Sequence, residues 1–271
     1  MPRKDGVWII AGLSIVLASI PTVFILYYGF IVFHNSLGFS MTVLVSILLT
    51  IFSSAVASVI IFLVFTPLAY ELSRKRHAVW ESISDLPASI PHPIVGIAFL
   101  LIGSPLTPFG RFLSSVGFGM FNSIQGLILA LSFIAMPIYV RSAQSIFASR
   151  HADPEDFAFT LGASRLTVLY SILVLGSARE IISSCLTSMS RAMSEFGSVA
   201  IIAYYVLSFP FNGSQTASVL IYQYYGYYGP GVAISASAFM IIFSMAIIVA
   251  IRFLGGGSGA VRGRQEAPGR S

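Results

Sequence analysis

Long apolar runs, broken at a few points by charge, proline and glycine, set the pattern of this chain. The stretches Val7 to Phe33, Phe39 to Tyr70, Leu86 to Gly110 and Phe112 to Val140 contain no Asp, Glu, Lys or Arg, and each exceeds the roughly 20 helical residues that cross a hydrocarbon core about 30 Å thick. From Phe196 to Ile251 no charge appears either, but "SFPFNGSQ" and "YYGYYGPG" interrupt the run. They predict one exposed connection between a fifth helix, Ile181 to Tyr205, and a sixth, Gly231 to Leu254. The expected fold is an all-α membrane protein of six transmembrane helices. Its membrane domain covers residues 1–254, and residues 255–271 form a flexible, basic, Gly/Ser-rich tail.

Charge then orients the helices. All Lys and Arg residues except Arg111 and Arg191 fall at the N-terminus, in the second and fourth connections, or at the C-terminus. Basic connections stay in the cytoplasm, so both termini are expected there. The net charge of +5 belongs to this asymmetry and calls for no nucleic-acid partner. With 56% hydrophobic and 9% charged residues the chain is a multi-pass protein of the cell membrane. Its first apolar run is too long for the 7 to 15 residues of a cleaved signal, which predicts a retained anchor. The single cysteine, Cys185, lies in an expected span and can form no intramolecular disulfide.

The fourth connection, about residues 146–176, is longer than a link between two spans requires, and it carries start and stop signals. Asp153 can cap a helix beginning at Pro154, with Glu155 and Asp156 against the positive end of the helix dipole. Phe157, Ala158 and Leu161 share one face, Gly162 supplies the C-terminal break, and Ser164 can cap a second amphipathic helix carrying Leu166, Leu169, Ile172 and Leu173. One reading is a helix pair lying on lipid headgroups. Its acidic first turn argues against that, because interfacial helices carry Lys and Arg. A docking element for a cytoplasmic protein fits better.

"EDFAFTLGASRLTVLYSIL" resembles the EAA motif of permease subunits in ATP-binding-cassette importers, with Glu155, Gly162 and Ile172 matching in type and spacing. Asp156 and Phe157 replace the two alanines of that motif, and Val174-Leu175 replaces its Leu-Pro. "SEFGSVAIIAYY" with the upstream Arg191, and "DLPASIPHPIVGIAFL", are similar to the molybdate, tungstate and sulfate branch, nearest the archaeal molybdate/tungstate permeases. The resemblance implies a homodimer with two cytoplasmic ATPase subunits and an extracytoplasmic oxyanion-binding protein. ATP and Mg would be bound by the partner, leaving this chain without cofactor or enzymatic activity. The helix from Asp153 to Leu161 would enter a groove of the ATPase, making Asp153, Glu155, Asp156, Phe157, Ala158, Leu161 and Gly162 the coupling residues. A sulfate/thiosulfate permease is the near alternative. A secondary transporter or channel, or an intramembrane enzyme, belongs to a different class.

Along the expected fifth helix Ser183, Thr187, Ser190, Ser194 and Ser198 recur every three or four residues, with Ser184 and Ser188 in line with Arg191 and Glu195. Arg191 and Glu195 are one turn apart and can pair, as charges at bilayer depth must. They are candidates for a translocation path or gate, and the hydroxyls suit either that path or close helix packing. Pro87, Pro91 and Pro93 disrupt the start of the third helix, with Pro91 a candidate gate residue; Met136-Pro137 predicts a bend in the fourth. His92, between prolines, reads as a hydrogen-bonded structural residue. The sequence contains no phosphate loop, HExxH or GxSxG, and no cluster with metal-ligand spacing.

Overall fold

A computed structural model describes residues 6–75 and 77–255. The first basic residues, Arg76 and the 256–271 tail therefore lie outside the described residues. Those described are almost wholly helical, with no strand beyond an isolated bridge between Val206 and Ser214. In chain order the helices are α1 (Val7–Tyr27, continued by a π-helical turn to Phe33), α2 (Met41–Arg74), α3 (Ala78–Ser89), α4 (His92–Ile102), α5 (Pro108–Ser115) and α6 (Ile124–Ala148). There follow α7 (Asp153–Thr160), α8 (Arg165–Val174, largely π-helical), α9 (Ala178–Met193), α10 (Val199–Ile202), α11 (Ala217–Tyr228) and α12 (Pro230–Gly255).

Helices α2, α6 and α9 form the centre. Leu49, Ile61, Leu127, Leu131, Tyr139 and Phe147 fill it without contact with solvent space. Hydroxyl pairs bind the same helices: Thr66 and Tyr139 oxygens are 2.6 Å apart, and Ser58 donates to the Cys185 carbonyl at 2.7 Å. Short polar side chains let apolar helices approach closely, and in hydrocarbon they find partners on one another. A smaller cluster of Val43, Ile47, Leu220, Tyr224 and Val232 joins α2 to α11 and α12. Helix α1 buries no residue and presents apolar side chains all round, as a lipid-facing helix does.

Three helices, Val7–Phe33, Met41–Arg74 and Ile124–Ala148, are long and apolar enough to cross a membrane, and two bent pairs bring the number to five. The expected third helix, Leu86 to Gly110, is not continuous: α3 and α4 meet at 104°. Pro91 accounts for the break. It forces Ile90 into extended backbone (φ −83°, ψ 135°) and serves as the N-cap of α4. Nor does the fourth helix begin at Phe112, which lies in the separate α5; α6 starts at Ile124, where Ser123 accepts from the Gly126 N–H at 3.0 Å. Pro137 sits inside α6 without ending it.

The last third of the chain departs furthest from the helix pattern. The expected fifth helix ends at Met193, and only the short α10 follows, so residues up to Tyr205 do not continue it. What was read as a single connection contains α11. Its first N–H, from Ala217, is capped by Thr50 of α2 at 2.9 Å, a partner 167 residues away. Gly229, with φ +81°, and Pro230 then turn the chain into α12.

Candidate functional site

Two regions gather the residues that carry chemistry, one at each end of α9. The first is the corner between α7 and α8. Helix α7 starts at Asp153 itself, so Asp153 caps nothing; Ala152 is the N-cap, without a side-chain bond. At the other end the Ala163 N–H bonds the Ala158 carbonyl and the Gly162 N–H bonds that of Phe159, both at 3.0 Å. Gly162 has φ +82°. This pair of bonds closes a helix when the residue after the cap is left-handed, which explains the glycine. Ser164 then caps α8 by accepting from Thr167 N–H at 3.2 Å.

Glu155, in the acidic first turn of α7, faces inward. It is 3% exposed, ion-paired with Arg74 of α2, and accepts from Tyr70 Oη at 3.0 Å and Arg74 Nε at 3.3 Å. Arg74 Nη1 also donates to the Phe147 carbonyl at 3.0 Å, tying α7 to α2 and α6 at once. Around this anchor Arg165 pairs with Glu71 at 2.7 Å, Arg150 with Glu180 at 3.0 Å, and Arg141 with Asp85. Arg74, Arg141, Arg150 and Arg165 are thus structural partners of acids on neighbouring helices. Asp153 and Asp156 remain exposed and Ala158 is half-buried. Phe157 and Leu161, 67% and 73% exposed, are left as an apolar knob on a rigid corner.

The second region joins the two helix breaks. Glu195 lies just past the end of α9 and is 2% exposed. One carboxylate oxygen accepts from Ser198 N–H at 2.9 Å and Ser198 Oγ at 3.1 Å. The other accepts from Arg191 Nη1 at 3.3 Å and lies 2.9 Å from His92 Nδ1. The expected Arg191–Glu195 pair is therefore present, though off the helix. His92, at the first residue of α4, completes it, with Arg191 Nη2 at 2.9 Å from its Nε2. Ser218 of α11 donates to the Glu195 carbonyl at 2.8 Å. Glycines permit this closeness. A Cβ on Gly96 would come within 2.6 Å of the Ser198 carbonyl oxygen, and one on Gly197 within 3.2 Å of His92 Cβ. Glu195 explains why α9 stops where no proline does: its side chain caps the next helix instead of extending its own.

The serine periodicity resolves into two lines with different uses. Ser184 and Ser188 are buried against Ser142 (2.6 Å) and Ser58 (3.3 Å), which is helix packing. Ser183, Thr187, Ser190 and Ser194 face the open side. Ser190 and Ser194 join Ser237 and Ser244 of α12, with Met193 and Met240, around a cavity of ≈ 400 Å³. Ser183 and Thr187 do not line it; Thr187 bonds the Ser183 carbonyl at 2.8 Å. Pro91 is exposed and forms the break before α4, its carbonyl accepting from the Ile94 N–H at 2.9 Å. His92 is hydrogen-bonded, as its place between prolines suggests, but the sequence pattern did not give its partners. A buried carboxylate and a half-buried guanidinium at membrane depth need further polar partners, and that requirement was the available signal.

The "SEFGSVA" and "PHPIVGIAF" stretches are therefore one contact in space. The chain is 32% identical over 208 residues to the molybdate/tungstate transport system permease protein WtpB of Thermococcus kodakarensis, covering 75% of each. It belongs to the molybdate/tungstate permease family. A sulfate transport permease of Mesostigma viride matches at 27% over 223 residues, 82% of this chain and 78% of that one. No protein-family model matches. Among solved structures the fold is similar to the inward-facing MetNI methionine ABC transporter, with a TM-score of 0.57, 16% identity, and coverage of 78% of this chain and 94% of that one. The permease is thus a multi-pass protein of the cell membrane with an ABC-permease fold. Among its described residues no three His, Cys, Asp or Glu side chains group as a metal site.

Proposed function

We propose that this permease is the membrane subunit of an ATP-driven importer of molybdate or tungstate. In this reading two copies join two ATPase subunits, which bind ATP and Mg, and an extracytoplasmic binding protein that holds the oxyanion. Each copy crosses the membrane six times with both ends in the cytoplasm. The bent pairs α3/α4 and α8/α9 contribute one crossing each, and α12 supplies the sixth. Residues 1–254 form the permease domain and 255–271 a tail.

The observation that carries the reading is the apolar knob of Phe157 and Leu161, held out by a helix whose own carboxylate is turned inward and locked. A monomeric membrane protein has no use for a rigid, water-facing Phe and Leu; a groove on a partner ATPase does. Closure of the ATPase pair would carry α7 inward, and α2 with it through the Glu155–Arg74 anchor. Ser190, Arg191, Ser194 and Glu195 would line the path or gate, where hydroxyls and one partly neutralised Arg bind an anion weakly enough to release it.

Phe157→Asp tests the knob. Affinity for the ATPase is expected to fall at least about tenfold, the loss of one buried aromatic anchor, while insertion in the membrane is unchanged. An unchanged affinity, measured with the purified partners, removes the docking role. Topology is tested separately with single cysteines at Phe209, 92% exposed, and Ser149. Only Phe209→Cys is expected to react with an impermeant reagent added outside intact cells, and labelling of Ser149→Cys alone inverts the arrangement.

A further inference from the structure

We propose that His92 is a positioning residue of the gate. It holds Glu195, and through Glu195 the guanidinium of Arg191, so that the two helix breaks stay joined until the path opens. This rests on the reading that the breaks border the path.

The argument begins with hydrogen-bond capacity. A carboxylate only accepts and a guanidinium only donates. His92 stands between them, with Nδ1 at 2.9 Å from Glu195 Oε2 and Nε2 at 2.9 Å from Arg191 Nη2. Arg191 Nη2 is also 3.3 Å from Nδ1, so the guanidinium lies against the ring and His92 touches both neighbours at once. Among the described residues no other charged side chain bonds any of the three.

Position in the chain then separates the members. Arg191 and Ser198 lie within four residues of Glu195 and move with it. His92 lies 99 residues from Arg191, at the first turn of α4. When α4 shifts against α9 and α10, the His92 contacts are those that part. Glu195 would then lose one of its donors in a site shut off from water, which is costly for an ionised carboxylate. The resting arrangement is thereby favoured, and work from the ATPase is needed to leave it. The glycine contacts at Gly96 and Gly197 keep α4 close enough for this balance to depend on one side chain.

Three substitutions distinguish the possible roles: His92→Gln, His92→Leu and His92→Lys. The Gln amide offers an N–H to Glu195 and an oxygen to Arg191, Leu keeps bulk alone, and Lys keeps only a donor. Each permease would be reconstituted in vesicles with its ATPase and tungstate-loaded binding protein, with tungstate uptake and ATP hydrolysis measured together. Gln is expected within about twofold of the wild-type maximal rate, and Leu and Lys at least about fivefold below it, the scale of one hydrogen bond to a charged group. The half-saturating concentration of loaded binding protein should not change, while ATP used per tungstate rises for Leu and Lys. A wild-type rate with Leu means bulk suffices and overturns the proposal, as does a wild-type rate with Lys alongside an impaired Gln.

A second measurement needs no transport. Nitroxide labels at Ile97 and Tyr225, both exposed, report the distance from α4 to α11 in the assembled complex. His92→Leu should broaden the distribution and His92→Gln should not; identical distributions overturn the proposal. If the wild type takes up no tungstate yet the labels behave as expected, the importer reading fails and the role of His92 stands.

Discussion

Arg74→Glu and Glu155→Arg, made singly, are expected to abolish ATP-coupled transport, and the double exchange to recover a large part of it. Glu155 is buried and its charge is met by Arg74, with Tyr70 Oη as the remaining donor. Either single change puts two like charges together where one side chain is buried and the other 24% exposed. Breaking a buried pair costs about 3–5 kcal/mol. Each 1.4 kcal/mol is a factor of ten, so the docked position of α7 should become at least about a hundredfold rarer. The exchanged pair restores opposite charges across the same gap. It loses the Tyr70 bond and the 3.0 Å bond to the Phe147 carbonyl, so recovery should be incomplete but at least about tenfold above either single variant. Uptake and ATP turnover of the reconstituted complex check this, with cysteine labelling to confirm insertion. A double variant as inactive as the singles would show that Glu155 finds its true partner on the ATPase.

Gly162→Val should lower ATPase affinity and coupling by about tenfold or more, whereas Gly162→Asn should stay near the wild type. No atom lies within 4 Å of a Cβ added at Gly162, so the effect cannot come from a clash. It comes from φ +82°. A non-glycine residue held in the left-handed region costs about 1–3 kcal/mol, least for Asn and most for a β-branched side chain. Without this turn the two 3.0 Å bonds that close α7 are lost, and α8 leaves at another angle. The knob of Phe157 and Leu161 then no longer projects from a fixed corner. Equal losses for Val and Asn, read by binding to the ATPase and by uptake, would replace the backbone explanation with a side-chain contact.

The corner between α7 and α8 was legible in advance because its determinants lie within a few residues of one another. Pro154 in the first turn, the left-handed Gly162 and the Ser164 cap are each local devices, and the structure contains all three. The same local logic did not give the direction in which Glu155 points. A carboxylate in a first turn favours the helix dipole whether it points to water or inward, and the partner that turned it inward is Arg74, 81 residues earlier. Asp153 shows the finer limit: a cap one residue away from Ala152 cannot be told from pattern alone.

Sequence by itself determined that this protein spans the membrane repeatedly, which end is basic, where the proline break falls, and which residues form the glycine corner. Those features follow from apolar length, charge and backbone preference, which act along the chain. Only the tertiary structure decided that α9 ends at Met193, that α11 exists inside an expected connection, that Ser184 and Ser188 serve packing while Ser190 and Ser194 border a cavity, and that His92 joins Arg191 and Glu195. In each of these cases the deciding group is a distant polar partner. A buried donor or acceptor must be satisfied wherever the fold can supply its complement, and in an interior built from near-uniform apolar helices the sequence does not say which helix that will be.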